Sequence, residues 1–143
     1  MSSLTSITES AAASQPLEFA EAIRAGFPSP AYDHAGERID IIHELIPHPN
    51  TTFYARVQGD SMRDAGIIDG DIVVVDRGRN ARSGNFVVAC IDGEFTIKEF
   101  RLDPSGQCAW LIPHNAAYSP IKVTEENSFL VWGVITHAIH KTL

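Results

Sequence analysis

From about residue 51 onward, apolar and polar residues alternate in short runs that are separated by turn residues. Alternation with period two is typical of half-buried β-strands. The runs that predict strands are TTFYARVQG from Thr51, DIVVVD from Asp71, FVVACI from Phe86, FTIKEF from Phe95, CAWLI from Cys108 and SFLVWGVITHAI from Ser128. No long helical pattern separates them, so the sequence predicts a compact, mostly antiparallel β domain.

The third and fourth runs are joined by a favoured hairpin turn. Asp92-Gly93 is a two-residue turn sequence between strand-forming residues, which predicts a hairpin whose register follows from the turn. In that register Val87 lies opposite Lys98. Lys98 is one of only three lysines, and it lies in the middle of the hairpin among apolar residues rather than at its end.

The residues before the β pattern have a different composition. Residues 1–15 are rich in Ser, Thr and Ala without an apolar period, which predicts loose order. We therefore divide the chain into an N-terminal arm and linker, residues 1–40, and a β-rich domain, residues 41–143.

Three segments within and just after the arm have distinct patterns. The stretch PLEFAEAIRAGF, residues 16–27, predicts a short helix that begins near Pro16. Residues 27–40 contain two prolines and a glycine, which is linker composition. The short apolar stretch IDIIHELI, residues 39–46, is compatible with either a helical turn or an edge segment.

Charge and composition restrict the function classes. The formal net charge of -7 disfavours DNA binding through bulk charge and disfavours an anionic membrane surface. No apolar run approaches the length of a membrane span, and the first residues lack the features of a secretory signal. Cys90 and Cys108 belong to no CxxC or Cys/His pattern, so we expect reduced thiols, a cytoplasmic location, and no metal or cofactor.

Ser61 follows an apolar strand and stands at a predicted bend. Gly59 tolerates positive φ, so the chain can turn sharply there and lift the following hydroxyl out of the sheet. A bend of this kind can also direct backbone N–H groups at one point, as a nucleophile beside an oxyanion hole requires. Met62 is an apolar neighbour that would help exclude water. The competing interpretation is an ordinary turn serine.

A catalytic serine needs a base, and Lys98 is the candidate. A neutral lysine can act as base, but a free lysine has a pKa of about 10.4, so only roughly one in 2,500 is neutral at pH 7. Making half of it neutral requires about 5 kcal/mol, which desolvation among apolar residues can supply. The competing interpretation is a strand lysine that reaches water. For the histidines we expect solvated or capping roles: His34, His43, His48, His114, His137 and His140.

Four stretches together resemble the self-cleaving LexA-type serine peptidases, and the UmuD branch in particular. These are AGFPSPAYDHAGERIDI from Ala25, GDSMRDAGIIDGDIVVVD from Gly59, DGEFTIKEF from Asp92 and IPHNAAYSPI from Ile112. The resemblance covers about residues 24–143 and implies a small, bent antiparallel β domain with a flexible N-terminal arm. Members of this family are commonly homodimers.

The resemblance also implies roles for individual residues. Ser61 resembles the nucleophile and Lys98 the unprotonated base. Ala25-Gly26 resembles the scissile bond, and the backbone amides of Asp60 and Ser61 match the positions that bind the oxyanion.

The function implied by this family is self-cleavage during the SOS response. UmuD-type proteins cut themselves when they contact RecA filaments on single-stranded DNA, and the shortened form assists a Y-family polymerase subunit of the UmuC type in translesion synthesis. Two alternatives stay open: a non-enzymatic polymerase-binding module, and a phage-type repressor fragment. Only 25 residues precede the expected bond, too few for a helix-turn-helix domain, so no sequence-specific DNA binding is expected.

Three aspartates and two tryptophans are predicted to have structural rather than chemical roles. Asp64, Asp69 and Asp71 are expected to form a solvated, turn-rich edge rather than a metal site. Trp110 and Trp132 are expected in the core or in a dimer interface.

Overall fold

The structure is a computed structural model that describes residues 3–9, 17–19 and 37–143. Its elements are β1 (Ser3–Glu9), β2 (Leu17–Phe19), β3 (Glu37–Ile39), α1 (Ile41–Leu45), β4 (Thr52–Gln58), β5 (Ile72–Asp76), β6 (Phe86–Ile91), β7 (Glu94–Leu102), β8 (Ala109–Ile112), β9 (Ile121–Val123) and β10 (Phe129–Ile139). Within these ranges no helix is long and apolar enough to cross a membrane.

Eight of the strands form one sheet in which every described neighbour pair is antiparallel. Their order is β1-β4-β5-β10-β6-β7-β8-β9, and β2 and β3 form a separate two-stranded sheet. The prediction of a mostly antiparallel β domain is therefore confirmed. The last strand, β10, lies between β5 and β6, and its two register irregularities are of the kind that bend a strand.

The central hairpin has the register that its turn predicts. β6 pairs with β7 so that Val87 lies opposite Lys98. Asp92 and Gly93 have φ values of 49° and 83°, the left-handed conformations that a two-residue turn of this class requires. Because the turn fixes the register, it also fixes the position of Lys98 along the strand.

The N-terminal third departs from two sequence predictions. Part of the segment predicted as a short helix is strand β2, which pairs with β3 so that Leu17 lies opposite Ile39, because ladder hydrogen bonds outweigh a weak local helical preference. A strand, β1, also lies within the predicted arm and pairs with β4. The stretch 39–46, which was compatible with a turn of helix or an edge segment, begins with the last residue of β3 and then forms α1, where the side chain of Asp40 accepts from the N–H of His43.

Contacts divide the chain into two compact units, residues 1–10 with 48–143, and residues 11–47. The functional division into an arm of residues 1–40 and a domain of residues 41–143 stays a prediction.

The first of these units has apolar residues packed on both faces of its sheet. The neighbouring residues Val87 and Val88 point to opposite faces and belong to two different clusters, each fully buried. The first cluster consists of Ala55, Val57, Met62, Ile67, Val73, Val75, Val88 and Ile97, and the second of Val87, Ala89, Phe100, Ala109, Leu111, Val123 and Val134. The hairpin β6–β7 contributes to both clusters and is therefore held rigidly.

Candidate active site

Ser61 lies in the bend that follows β4. Gly59 has a φ of 95°, so the sharp turn that the sequence predicts at this glycine is present. The next residue after the serine, Met62, is completely buried in the first apolar cluster and anchors the segment. Ser61 itself has no exposed surface.

Lys98 reaches Ser61 inside the protein. Its side chain is 1% exposed, and its Nζ lies 3.0 Å from the Oγ of Ser61. The same nitrogen lies 2.7 Å from Thr96 Oγ1 and 3.0 Å from the carbonyl oxygen of Ile97. The two residues are 37 positions apart in sequence, so only the fold brings them together.

Three oxygen neighbours suit the neutral amine as well as the charged one. A protonated amine donates to all three oxygens. A neutral amine has two N–H donors and one lone pair, so it can donate to Thr96 Oγ1 and the Ile97 carbonyl while it accepts the hydroxyl hydrogen of Ser61. This second arrangement is the one that a general base requires.

Burial increases the fraction of Lys98 that is neutral near pH 7. Desolvation lowers the pKa of Lys98 from 10.5 to about 8. At pH 7 about a tenth of the amine is then neutral, against roughly one in 2,500 for a free lysine. The pKa of Lys98 is lowered, as its apolar neighbours led us to expect. The shift is smaller than the one that would leave half of the amine neutral at pH 7.

The backbone next to the serine is held by side chains from elsewhere in the chain. The N–H of Gly59 donates to Asp69 Oδ1 at 2.8 Å. The hydroxyl of Tyr118 donates to Asp60 Oδ1 at 2.5 Å, and this bond lowers the pKa of Asp60 and raises that of Tyr118. Asn115 Nδ2 donates to the carbonyl of Asp60 at 3.0 Å.

A second polar group lies on the other face of β7. Lys98 and Glu99 are adjacent, so their side chains point in opposite directions. The carboxylate of Glu99 is buried, lies 2.9 Å from His114 Nε2, and pairs with Arg101. The ring of His114 also meets the ring of Phe86 edge to face at 5.4 Å. His114 is therefore a structural link rather than the solvated or capping residue that we expected.

The remaining sequence predictions have different outcomes. The expected scissile bond, Ala25-Gly26, lies outside the described residues. The prediction of a solvated edge is wrong for Asp71, which is 2% exposed, accepts a bond from the Ile68 N–H, and lies 2.9 Å from His140 Nδ1. The catalytic roles of Ser61 and Lys98, and those of the two amides, stay predictions, although the structure places the side chains together.

Sequence reasoning assigned no role to Thr96, Asn115 or Tyr118. Thr96 had a recognisable signal, because residues two apart on a strand share a face and it precedes Lys98 by two positions. Asn115 and Tyr118 had none, because they are more than 50 residues from the serine segment that they contact.

The burial of Lys98 predicts a specific pH dependence of stability. The unfolded chain holds its proton up to about pH 10.5 and the folded chain only up to about pH 8, so stability increases with pH across that window. The gain in the free energy of unfolding across this window is about 3 kcal/mol, and it should be absent in Lys98→Met, which has no amine to titrate. Urea unfolding at several pH values from neutral to alkaline measures it. Lys122→Met, which removes an exposed lysine, should keep the original slope, and equal slopes in all three proteins would contradict the prediction.

Comparisons with known proteins identify the family of this chain. The family model described as Peptidase S24-like matches residues 18–136. The chain is 39% identical over 134 residues to the protein ImpA of Salmonella typhimurium, covering 90% of this chain and 85% of ImpA. It is 43% identical over 124 residues to SamA of Salmonella typhimurium, covering 87% of this chain and 84% of SamA. It is also 37% identical over 108 residues to the LexA repressor of Carboxydothermus hydrogenoformans, covering 76% of this chain and 52% of that repressor. With its buried serine and lysine in contact, the chain belongs to the Peptidase S24-like family and is similar to its UmuD-type members.

Proposed function

We propose that this protein is a serine peptidase that cuts its own chain between Ala25 and Gly26. The observation that carries the proposal is the 3.0 Å distance between Lys98 Nζ and Ser61 Oγ in a site where both side chains are buried. A hydroxyl becomes a useful nucleophile only beside a base, and a lysine becomes a base only when it is desolvated. The contact between the two side chains and the burial of both support this chemistry.

The proposed reaction proceeds by acyl transfer. Lys98 takes the hydroxyl hydrogen of Ser61 while the Oγ attacks the carbonyl carbon of Ala25. The backbone amides of Asp60 and Ser61 stabilise the negative oxygen of the tetrahedral intermediate. The C–N bond then breaks as Lys98 passes the proton to the amine of Gly26. Water, deprotonated by the same lysine, hydrolyses the resulting ester and restores the serine.

Tethering explains why no tight binding of the substrate segment is needed. The bond belongs to the same polypeptide, so its effective concentration near the site is high. Gly26 lies 35 positions before Ser61, and an extended segment of that length spans about 115 Å. Reach therefore permits cleavage either within one chain or between two copies.

We further propose that the reaction belongs to the SOS response. Similarity to ImpA and SamA over most of the chain supports this assignment. A RecA filament on single-stranded DNA would raise the population in which the arm is docked at Ser61. The shortened protein would then serve a Y-family polymerase subunit of the UmuC type. The net charge of -7 supports action through protein partners rather than through direct DNA binding.

The serine and the lysine should both be indispensable for cleavage. Incubation with RecA, nucleotide and single-stranded DNA should release residues 1–25 from the unaltered chain, whereas Ser61→Ala and Lys98→Ala should stay intact because nucleophile or base is missing. Gel electrophoresis and mass spectrometry of the product, which should begin at Gly26, measure this.

The matched control is Lys122→Ala, which removes an exposed lysine and should leave cleavage unchanged. Cleavage by Lys98→Ala at neutral pH would overturn the assignment of the base. An unaltered chain that binds RecA but stays uncut would favour a non-enzymatic binding module.

Slow self-cleavage without RecA should depend on pH in the way that the lysine titrates. The neutral fraction of Lys98 grows about tenfold for each pH unit below its pKa, so the rate should rise at that slope and level off above about pH 8. First-order rates from time courses at a series of pH values measure the profile. A flat profile from about pH 7 to 10 would contradict a titrating lysine base.

We also propose that the protein is a homodimer that buries an apolar patch. This apolar patch consists of Leu130, Cys90 and Phe95, which lie side by side on β10, β6 and β7, together with the neighbouring Trp132. Leu130 is 56% and Phe95 37% exposed, and exposed apolar side chains that form a contiguous patch mark an interaction surface. A second copy can cover such a patch through a twofold axis.

Leu130→Glu should therefore weaken self-association by at least about tenfold, because a buried carboxylate would lack a partner. Sedimentation velocity over a range of protein concentrations measures the change. Leu102→Glu adds the same charge at an exposed leucine outside the patch and should leave the association unaltered. Equal effects of the two substitutions would argue against this patch.

A further inference from the structure

One loop holds both peptide groups that flank Ser61. The carbonyl of Asp60 accepts a hydrogen bond from Asn115 Nδ2 at 3.0 Å. The carbonyl of Ser61 accepts one from the backbone N–H of His114 at 2.8 Å. Two consecutive residues of the loop that follows β8 therefore fix the peptide plane before the serine and the plane after it.

The first of these planes contains the N–H that would face the oxyanion. A peptide group is planar and trans, so its C=O and its N–H point in opposite directions. The carbonyl of Asp60 and the N–H of Ser61 belong to the same group. Any partner that holds the carbonyl therefore also sets the direction of the N–H. The backbone N–H of Arg63 is a second donor to this carbonyl, at 3.1 Å, so two bonds fix the plane.

Asn115 is itself fixed before any substrate arrives. It is 7% exposed, its Oδ1 accepts a bond from the N–H of Ala117 at 3.0 Å, and its carbonyl accepts one from the N–H of Tyr118 at 3.1 Å. The amide can thus donate to Asp60 with little further loss of side-chain entropy. Preorganised donors of this kind are the ones that stabilise a developing charge without reorganisation.

We propose that Asn115 is a positioning residue for the oxyanion, acting through the peptide group that joins Asp60 to Ser61. The inference rests on the proposed acyl transfer and adds a residue to it. Asn115 contacts the backbone and makes no described contact with the Lys98 amine. Its loss therefore misdirects the oxyanion donor and leaves the titration of the base in place.

The experiment compares Asn115→Ala and Asn115→Asp with the full unaltered chain. Asn127→Ala is the matched control, because Asn127 Oδ1 also accepts a backbone N–H bond, from Thr124 at 3.0 Å, and its described hydrogen bonds are with Thr124 rather than with the serine segment. Each protein is assayed for the rate of self-cleavage as a function of pH, for labelling of Ser61 by a fluorophosphonate, and for its unfolding temperature.

The plateau rate of Asn115→Ala should fall about 10- to 100-fold, with a parallel fall in labelling and an unchanged pH midpoint. Asn115→Asp keeps the size of the side chain but replaces the donor with an acceptor, so it should be equally slow. Asn127→Ala should cleave within about twofold of the unaltered chain even if it unfolds at a lower temperature. A merely structural role would instead make the two alanine variants slow in proportion to their loss of stability.

Three results would overturn the inference. An Asn115→Asp variant that cleaves at the original rate would show that the donor is not needed, and the proposed peptidase function would stand. A shift of the pH midpoint in Asn115→Ala, which introduces no charge, would show that the residue acts on Lys98 instead. If the unaltered chain neither cleaves nor reacts with the fluorophosphonate, the proposed function fails and the role of Asn115 fails with it.

Discussion

The structure depends on the burial of one amine. Lys98 is 1% exposed, and the loss of water lowers its pKa to about 8, so the folded chain bears a cost whenever the amine is charged. Three oxygens around Nζ offset part of that cost, and one of them is the hydroxyl of Ser61. The desolvation that disfavours the charged lysine also favours the neutral amine, which is the form that the proposed base requires.

The contact between Lys98 and Ser61 depends on rigid packing around both residues. Lys98 lies in the middle of a hairpin whose two strands contribute to the apolar clusters on both faces of the sheet. Ser61 is held from the opposite direction, by Met62 in the first cluster and by the loop that carries His114 and Asn115. Errors of about 1 Å in such geometry are costly for catalysis, so the proposed reaction requires support of this kind.

The two faces of β7 make different polar contacts. One face presents Lys98 to the serine, and the other presents Glu99 to His114. The backbone N–H of His114 also donates to the carbonyl of Ser61. The strand is therefore connected to the serine directly through Lys98 on one face and indirectly through Glu99 and His114 on the other. In the proposed reaction, control would then lie in access of the Ala25-Gly26 bond to the site rather than in assembly of the Ser61–Lys98 pair.

The sequence by itself determined the local features: the strand-rich pattern, the Asp92-Gly93 turn, the register that places Val87 opposite Lys98, and the bend at Gly59. These follow from side-chain alternation and from backbone freedom at a few residues. Resemblance to a known family added the pairing of Ser61 with Lys98. Only the tertiary structure decided that Asn115 and Tyr118 reach Asp60, that Asp71 is buried, and that Leu17–Phe19 is a strand. Those outcomes depend on contacts between residues far apart in sequence, and no local pattern encodes which distant partner completes a hydrogen bond.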